Sequence, residues 1–410
     1  MKIAISVSHF PQLAETFILN RITGLIDLGH EVDIYAYGPG SGETVHEDVD
    51  KYKLLERVHY FDIPENKIKR VLVGVFRVII ACTQNPKLIL RSLNFMKYGK
   101  EVWSLKLPMA AAVLVNAPEY DVIHSHHGPN GLKDVWLKEV GAWKGKHAVS
   151  FHGADISRHI RLYGKNVYKK LFESADLFMP VSLQMKKDLV ELGCDPRKIS
   201  IHHSGIELHK FGFDPEHDFA PEGIVRLLSV GRLVEKKGFF YCVQAVRQLV
   251  KEGCNLTYDI IGDGEEHIRL EAMINKYALG DIVSLRGAQS QLNVVKQLKS
   301  ADIFLGPSVV AIDGNSEGIP NTLKEAMAVG LPVISTYHGS IEELITHGES
   351  GLLCAERNVA ELVQAIKDII NEEDQRWHYQ HNARLIVEDE FSATALNQRL
   401  VKLYQRIQSK

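Results

Sequence analysis

Residues 317 to 325, which read Glu-Gly-Ile-Pro-Asn-Thr-Leu-Lys-Glu, have the types and spacing of an anion site at a helix start. Pro320 suits the first turn of a helix, because the N–H that proline lacks would have no partner there. The predicted helix continues through Ala-Met-Ala-Val and ends at Gly330. At its start, free backbone amides and the positive end of the helix dipole would bind a phosphate. Those amides belong to Asn321, Thr322 and Leu323.

Two glutamates flank this predicted anion site. Glu325 lies one turn inside the helix, where its negative charge would repel a bound phosphate. The same carboxylate is well placed to accept hydrogen bonds from two sugar hydroxyls. Glu317 lies in the preceding loop and can reach a second polyol. Phosphate-binding amides between two such carboxylates indicate a nucleotide-sugar pocket. The alternative is a solvated helix start with incidental acidic residues.

The spacing of these glutamates, followed by Ala-Met-Ala-x-Gly-x-Pro-Val-Ile at 326–334, resembles the signature of glycosyltransferase family 4. Members of this family are retaining enzymes of the GT-B fold. The resemblance therefore implies an α/β protein with two Rossmann-like, doubly wound parallel-sheet domains that face a cleft. It implies a nucleoside diphosphate sugar as donor, with UDP favoured over GDP, and a glycan or lipid-linked acceptor.

A second motif, Val-Gly-Arg-Leu-Val-Glu-Lys-Lys-Gly at 230–238, resembles the Gly-Arg-Leu-x-x-x-Lys-Gly of the same family. Arg232 and Lys237 would emerge from a strand-to-helix turn, at the carboxyl edge where open α/β sheets bind ligands. By resemblance they neutralise the departing diphosphate, and such donors act most strongly as charge develops on the leaving oxygen. Lys236 is the weaker alternative to Lys237, and two ordinary surface cations are the alternative to the pair.

A third motif, Ser-Phe-His-Gly-Ala-Asp at 150–155, ends a predicted strand of the first half. By resemblance His152 faces the donor sugar across the cleft and stabilises the developing oxocarbenium ion, through its ring or its backbone carbonyl. Without the motif, a lone histidine would more often be structural. Asp155 could equally cap the next helix.

Near the N-terminus, His-Phe-Pro-Gln-Leu-Ala-Glu-Thr-Phe at 9–17 resembles exopolysaccharide-type family members, including colanic acid and amylovoran transferases. We expect Glu15 and Thr16 to border the acceptor, although a capped helix entrance remains the alternative. The long approach to Glu317 favours the same subgroup and brings in Asp313 as a sugar contact. The full set of predicted donor-binding residues is Gly231, Gly262, Asp313, Gly318, Ile319, Pro320, Asn321, Thr322, Leu323 and Glu325; the predicted catalytic residues are His152, Arg232, Lys237 and Glu317.

The elements that must position these residues follow from alternating apolar runs and helical patterns, which indicate parallel sheets covered by helices. The predicted strands lie near 2–7, 31–37, 121–125, 147–151, 176–181 and 198–202, then near 225–230, 256–261, 282–285, 302–305, 332–335 and 352–353. The stretch 203–222 is the predicted linker. We expect an acceptor domain at 1–204, a nucleotide-sugar domain at 205–390 and, by resemblance, a C-terminal segment at 391–410 whose helix crosses back to the first domain.

Composition agrees with two domains, since 410 residues exceed one ordinary core. A net charge of −3 argues against nucleic-acid binding. Five scattered cysteines without a Cys-x-x-Cys pair, and a first strand in place of a signal peptide, predict a cytoplasmic protein. Residues 51–110 carry twelve Lys/Arg against four Asp/Glu, a net +8, around an apolar run. This region could lie at an anionic membrane surface, or form an ordinary helix packed on the sheet with a solvated basic rim.

No metal or other cofactor is expected. The three histidines within 124–127 and the pair at 202–203 have no acidic or cysteine partner at ligand spacing. No Asp-x-Asp pair, the metal-binding feature of the other main glycosyltransferase fold, accompanies the donor motifs. The predicted function is retaining transfer of a sugar from a nucleoside diphosphate. The alternatives are a non-catalytic GT-B subunit that binds nucleotide-sugar or glycan, and a sugar-nucleotide epimerase.

Overall fold

The computed structural model describes residues 1–12, 15–40, 46–153, 155–214, 219–220 and 223–409. The chain forms two compact units. Unit 1 comprises Met1–Val181, Met185–His202 and the residues from Asn397 onward; unit 2 comprises Ser182–Gln184 and His203–Leu396.

Unit 1 is built on a six-stranded parallel sheet. Its strands are β1 (Lys2–Phe10), β2 (Glu31–Pro39), β3 (Val58–Tyr60), β4 (Val122–His126), β5 (Lys146–Phe151) and β6 (Leu177–Pro180). The helices of this part of the chain are α1 (Thr16–Asp27), α2 (Glu47–Lys51), α3 (Lys67–Gln84), α4 (Pro86–Ser92), α5 (Phe95–Tyr98), α6 (Lys100–Trp103), α7 (Lys106–Val113), α8 (Gly128–Val140), α9 (Arg158–Tyr163), α10 (Lys169–Ser174) and α11 (Leu183–Glu191).

Unit 2 contains a second six-stranded parallel sheet. Its strands are β7 (Val225–Val230), β8 (Leu256–Ile261), β9 (Val283–Leu285), β10 (Ile303–Leu305), β11 (Val333–Thr336) and β12 (Leu352–Cys354). The helices that follow are α12 (Phe239–Lys251), α13 (His267–Lys276), α14 (Gln291–Ser300), α15 (Asn321–Val329), α16 (Val359–Asn371), α17 (Glu373–Glu390) and α18 (Ala393–Gln408). The last helix lies within the predicted C-terminal segment 391–410.

The strand order is the same in both sheets. It is β3-β2-β1-β4-β5-β6 in unit 1 and β12-β11-β10-β7-β8-β9 in unit 2. In each sheet the first strand lies between the second and the fourth, so the chain winds outward in both directions from the centre. A crevice opens where the winding direction changes, outside the carboxyl ends of the two central strands. The two doubly wound parallel sheets confirm the predicted α/β class.

The cores form where helices cover the sheet faces. In unit 1, Ile22 and Leu25 of α1 share a buried cluster with the strands and with Leu400 and Tyr404 of α18. The Tyr404 hydroxyl also lies 2.6 Å from Nδ1 of His124 on β4. These contacts attach the C-terminal part of α18 to the sheet of unit 1.

Two sequence expectations about strands are wrong. Residues 198–202 form no strand: the segment makes one bridge, between Ile199 and Phe178, although the Ser200 and His202 amides donate to β6 carbonyls. Conversely, β3 was not predicted, because three residues are too few to show alternation. Within the described residues, no helix combines the length and the apolar character needed to cross a bilayer.

Candidate functional site

The predicted diphosphate motif lies at the centre of the unit 2 sheet. Residues 231–238 connect β7 to α12, and β7 neighbours β10 at the point where the winding direction changes. Gly238 has φ +68°, and a Cβ on it would lie 1.9 Å from the Pro307 carbonyl oxygen, in the loop after β10. A glycine is required there, because both the backbone conformation and the contact exclude a side chain. The turn is therefore held against the loop after β10.

The predicted catalytic glutamate pairs with the lysines of this turn. Oε1 of Glu317 lies 2.9 Å from Nζ of Lys236 and 3.3 Å from Nζ of Lys237. Burial alone would raise the pKa of Glu317, but the charges of Lys237 and Lys236 lower it to about 2. Glu317 is therefore a carboxylate throughout the physiological range. By contrast, the exposed Arg232 guanidinium has no ion-pair partner among the described residues.

A second glycine lets two loops of unit 2 meet. A Cβ on Gly262, which follows β8 with φ +140°, would lie 1.9 Å from the Gly231 carbonyl oxygen. The Gly231 amide donates to the Ile261 carbonyl at 2.9 Å. The loops after β7 and β8 are thus in backbone contact, and both predicted donor-binding glycines belong to this contact.

The helix start is built as the sequence predicted, with Pro320 one position earlier than the first helical residue. Pro320 is the N-cap of α15, and no side chain caps the helix. The Asn321 side chain does not serve as a cap, because its Oδ1 accepts from Nζ of Lys324 at 2.9 Å. The first amides of a helix have no acceptor within it. Those of Asn321, Thr322 and Leu323 are therefore available to an external anion.

Lys324 and Glu325 end the first turn of α15. The Lys324 side chain is buried, and Glu325 is half-buried. Burial raises the pKa of Glu325 to about 7, against the opposing charges of Lys324 and Lys237. Burial lowers the pKa of Lys324 to about 7. Nζ of Lys324 also donates to the Ser204 carbonyl at 2.6 Å. Among the described residues, no cation donates a hydrogen bond to the Glu325 carboxylate.

A histidine holds the backbone of Glu317. Nε2 of His338, which is 2% exposed, accepts from the Glu317 amide at 3.1 Å. Nδ1 of the same ring lies 2.5 Å from Oε1 of Glu356. Nε2 accepts and therefore carries no proton. The ring proton is on Nδ1, which donates a hydrogen bond to Glu356. The other oxygen of Glu356 accepts from the Val310 amide at 3.0 Å, so one carboxylate holds both ends of the loop before α15.

The remaining predicted donor residues lie in this same loop. Asp313 is exposed, and its Oδ1 accepts from the Asn315 amide at 2.8 Å, which makes it a turn residue of the loop. Gly318 and Ile319 connect Glu317 to Pro320 and are partly exposed. The structure therefore brings the predicted unit 2 residues to one edge of one sheet, with Arg232 and Asp313 exposed to solvent.

Unit 1 has a cavity of about 390 Å³ at the carboxyl ends of its central strands. Its lining includes Ser8 of β1, Glu15, His127 and Asp155. Nε2 of His127 lies 3.3 Å from Oε1 of Glu15, and Nδ1 lies 3.6 Å from Oδ2 of Asp155. Burial alone would lower the pKa of His127, but its hydrogen bonds to Asp155 and Glu15 raise it to about 10. The cavity therefore contains an imidazolium between two carboxylates.

The backbone of His127 is strained. It has φ +71° and ψ 136°, a conformation that non-glycine residues rarely adopt. Such strain persists where surrounding contacts impose it, and it concentrates at functional sites. Asp155 supplies one of these contacts, because it accepts from the Gly128 amide at the start of α8. Asp155 thus caps the preceding helix and its own loop, and the expectation that it caps the next one is wrong.

His152 lies beside this cavity, with an uncharged ring. Its Nε2 lies 3.1 Å from Nδ1 of His126, and the two rings are parallel with centroids 5.2 Å apart. Burial lowers the pKa of His152 well below its ordinary value, and the charge of His127 adds to the effect. Its amide donates to Asp155. The role of His152 toward a donor sugar stays a prediction.

Thr16 is the first residue of α1. The neighbouring positions 13 and 14 of the N-terminal motif, and position 154, lie outside the described residues.

The chain contains one Asp-x-Asp tripeptide, Asp48-Val-Asp50, away from the donor motifs. The structure places it in α2, where Asp48 is buried and its Oδ2 lies 3.3 Å from Nδ1 of His46. In the part of the chain that the structure describes, no cluster of three or more His, Cys, Asp or Glu side chains has the geometry of a metal site. Metal independence itself stays a prediction.

Comparison with known proteins identifies the family. Residues 14–210 match the model described as Glycosyltransferase Family 4, and residues 214–386 match Glycosyl transferases group 1. The colanic acid biosynthesis glycosyltransferase WcaL of Salmonella typhimurium is 35% identical to this chain, covering 99% of it and 100% of that protein. The chain belongs to glycosyltransferase family 4. The amylovoran biosynthesis glycosyltransferase AmsK of Erwinia amylovora is 36% identical to the transferase, with the same coverage.

Solved structures confirm the fold of the transferase. HepE of Anabaena, in complex with UDP and glucose, has a TM-score of 0.75 at 17% identity and covers 99% of each chain. Sucrose-phosphate synthase of Thermosynechococcus elongatus has a TM-score of 0.71 at 18% identity, again with 99% coverage of each chain. At these identities the likeness concerns the fold alone, and it confirms the predicted GT-B architecture.

Sequence reasoning missed several residues of the transferase that contact the predicted ones. They are His127, Lys324 and His338, and Glu356 joins this set through its hydrogen bond with His338. His127 directly follows β4, a central strand of its sheet, and open α/β sheets bind ligands at that position. For His338 and Glu356 no local pattern exists, because each follows a different strand and they meet only in the folded sheet.

Proposed function

We propose that this transferase moves a sugar from a nucleoside diphosphate sugar to a glycan or lipid-linked acceptor in bacterial exopolysaccharide biosynthesis, with retention at the anomeric carbon. The observation that carries the proposal is the arrangement in unit 2. Uncapped amides of α15 lie in the same loop system as Arg232, Lys237 and the two glutamates. The names of the relatives WcaL and AmsK support the exopolysaccharide pathway.

The donor would bind with its diphosphate between the cations and the helix. Arg232, Lys237 and the α15 amides would neutralise the phosphates, since donors aimed at a developing charge act most strongly in the transition state. Glu325 would accept from the ribose hydroxyls. Glu317, fixed as a carboxylate by two lysines, would accept from the transferred sugar. UDP is the favoured nucleotide, because HepE was solved with it.

Retention would follow from front-face attack. No side chain of unit 2 is proposed as a covalent nucleophile. The C–O bond from the anomeric carbon to the diphosphate breaks, and the acceptor oxygen bonds to the anomeric carbon on the same face. The leaving diphosphate oxygen takes the proton of that acceptor hydroxyl. Arg232 and Lys237 stabilise the charge left on the diphosphate. The chemistry as proposed needs no divalent metal.

The acceptor would bind unit 1 at the cavity that contains Glu15. Its lining combines polar side chains with the exposed Leu162 and Tyr163. This combination suits a saccharide, which presents hydroxyl groups at its edges and apolar C–H groups on its faces. Thr16 lies next to Glu15 at the start of α1. We further propose that the reaction takes place at the inner face of the cell membrane, supported by the net +8 of residues 51–110.

Transfer assays test this function. With UDP-sugars and a lipid-linked saccharide acceptor, we expect transfer that persists in excess EDTA, and a product with the anomeric configuration of the donor by proton NMR. Inversion would refute the retaining mechanism, and a loss in EDTA that magnesium or manganese restores would refute metal independence. Conversion of the donor sugar without acceptor would indicate an epimerase. Donor binding with neither reaction would indicate a non-catalytic subunit.

Replacement of His338 tests how Glu317 is positioned. His338→Phe keeps a ring but cannot accept from the Glu317 amide or donate to Glu356, so we expect kcat to fall by roughly tenfold to a hundredfold, the scale of a small misplacement. His338→Gln can form both hydrogen bonds through its amide and should recover most of the rate. UDP affinity should change little in either variant. Equal losses in both variants would show that the ring serves packing and does not position Glu317.

A further inference from the structure

Helix α3 exposes a continuous apolar stripe. Ile68, Leu72, Val75, Phe76 and Ile79 have exposed fractions of 74, 70, 46, 68 and 60%. Since successive residues of a helix turn by about 100°, these positions lie on one side of α3. We call them the α3 stripe. Large apolar patches on a protein surface mark interaction sites, so the α3 stripe is a candidate interaction surface.

The opposite side of α3 already packs within unit 1. Gly74 and Ala81 are its buried residues. A Cβ on Gly74 would lie 2.9 Å from Sδ of Met109 and 3.1 Å from Cδ1 of Leu105. The helix therefore approaches α7 through its small residues, and this contact directs the α3 stripe toward solvent. The sequence alternative, a helix whose apolar face covers the sheet, is wrong.

The charge around the stripe selects the partner. Residues 51–110 carry +8, whereas the whole chain carries −3, so the remainder carries −11. Lys67 and Lys69 are exposed at the start of α3, and Lys87 and Arg91 are exposed on α4. A second copy of this basic segment would be repelled. An anionic surface would be attracted to this part of the chain and would repel the rest.

Exposed aromatic and thioether side chains follow in the same segment. Phe95, Met96 and Trp103 of α5 and α6 are 57, 87 and 77% exposed. Aromatic residues favour the boundary between headgroups and acyl chains. An amphipathic helix with cations beside its apolar face is of the kind that lies in this boundary.

We propose that the α3 stripe and its surrounding cations dock the transferase on an anionic lipid bilayer, with α3 lying along the surface. The helix has 18 residues, about 27 Å at 1.5 Å per residue, and contacts the bilayer along its length without crossing it. This inference deepens the proposed function, since it rests on an acceptor held at the membrane. It places unit 1, which contains the proposed acceptor cavity, against the surface that carries the lipid.

Vesicle sedimentation tests the proposal. The full chain should bind vesicles of mixed phosphatidylcholine and phosphatidylglycerol, bind poorly to phosphatidylcholine alone, and dissociate as salt is raised. The triple variant Leu72→Gln/Phe76→Gln/Ile79→Gln should lose roughly tenfold or more in affinity, because its apolar contact is removed. Lys67→Glu/Lys69→Glu should lose binding to the mixed vesicles, whereas its weak binding to phosphatidylcholine alone should not change. The matched control is Ile268→Gln/Leu292→Gln, which changes residues 78 and 66% exposed in unit 2 and should bind like the unmodified chain.

Calorimetry with UDP on the same variants separates the two proposals. Unchanged UDP binding in the triple variant, with vesicle binding lost, supports docking through α3. Vesicle binding that equals the control, or an unmodified chain that stays in the supernatant, overturns docking and leaves the transferase proposal standing. Self-association that the triple variant abolishes, without vesicle binding, would assign the stripe to a second copy and also overturns the proposal.

Discussion

Arg232→Ala and Lys237→Ala should each lower kcat/KM by roughly two to three orders of magnitude, the scale for removal of one donor to a developing charge. Both cations lie in the turn after β7, at the centre of the unit 2 sheet. Arg232 is exposed and can bind the diphosphate without breaking an ion pair with another described residue. Lys237 would exchange its 3.3 Å contact with Glu317 for the phosphate. Steady-state kinetics with a UDP-sugar donor measures the loss.

The controls separate charge near the site from contact with the diphosphate. Lys251→Ala removes an exposed cation at the end of α12 and should leave kcat/KM unchanged. Lys236→Ala should cost less than Lys237→Ala, although Lys236 lies closer to Glu317. A larger loss in Lys236→Ala would transfer the role to Lys236. Activity within about threefold of the unmodified enzyme for both Arg232→Ala and Lys237→Ala would refute the diphosphate assignment.

Replacing the two glutamates should have different effects on binding and turnover. Glu325→Ala should weaken UDP binding by roughly tenfold to a hundredfold, the value of hydrogen bonds to a charged group, because Glu325 is proposed to hold the ribose. Glu317→Ala should leave UDP affinity unchanged or raise it, since Lys236 and Lys237 are then free for the diphosphate, while kcat falls. Calorimetry that shows equal losses of UDP affinity in the two variants would contradict this division.

The pKa of Glu325 adds a pH dependence to the same experiment. Burial raises this pKa to about 7, and the ionised carboxylate is the form that accepts from two hydroxyls. Affinity for UDP-glucose should therefore rise as the pH increases through about 7. Glu325→Gln cannot titrate and should lose this dependence. A rise of equal size in Glu325→Gln would assign the titration to another group.

The sequence by itself determined the family and the fold class, and it predicted most residues of the candidate site in unit 2. Motifs that bind through a helix start or a strand-to-helix turn are contiguous, so Glu317, the α15 amides and Glu325 could be recognised within nine residues. The alternation of apolar strands and amphipathic helices is also visible in contiguous residues, and it predicted both sheets. The strand predictions failed in two short segments. Residues 198–202 make one bridge and no strand, and the unpredicted β3 is only three residues long.

Only the tertiary structure decided which side chains from different strands meet. Glu356 follows β12 and His338 follows β11, and parallel pairing of these strands brings Glu356 to His338, whose ring accepts from the Glu317 amide. In unit 1, β4 lies next to β1, which places His127 against Glu15, 112 residues away in the chain. Exposure of the α3 stripe was equally invisible, because α3 has apolar residues on much of its circumference. Which of them face water depends on the contact of Gly74 with α7, and a contact between distant segments leaves no periodic trace in the sequence.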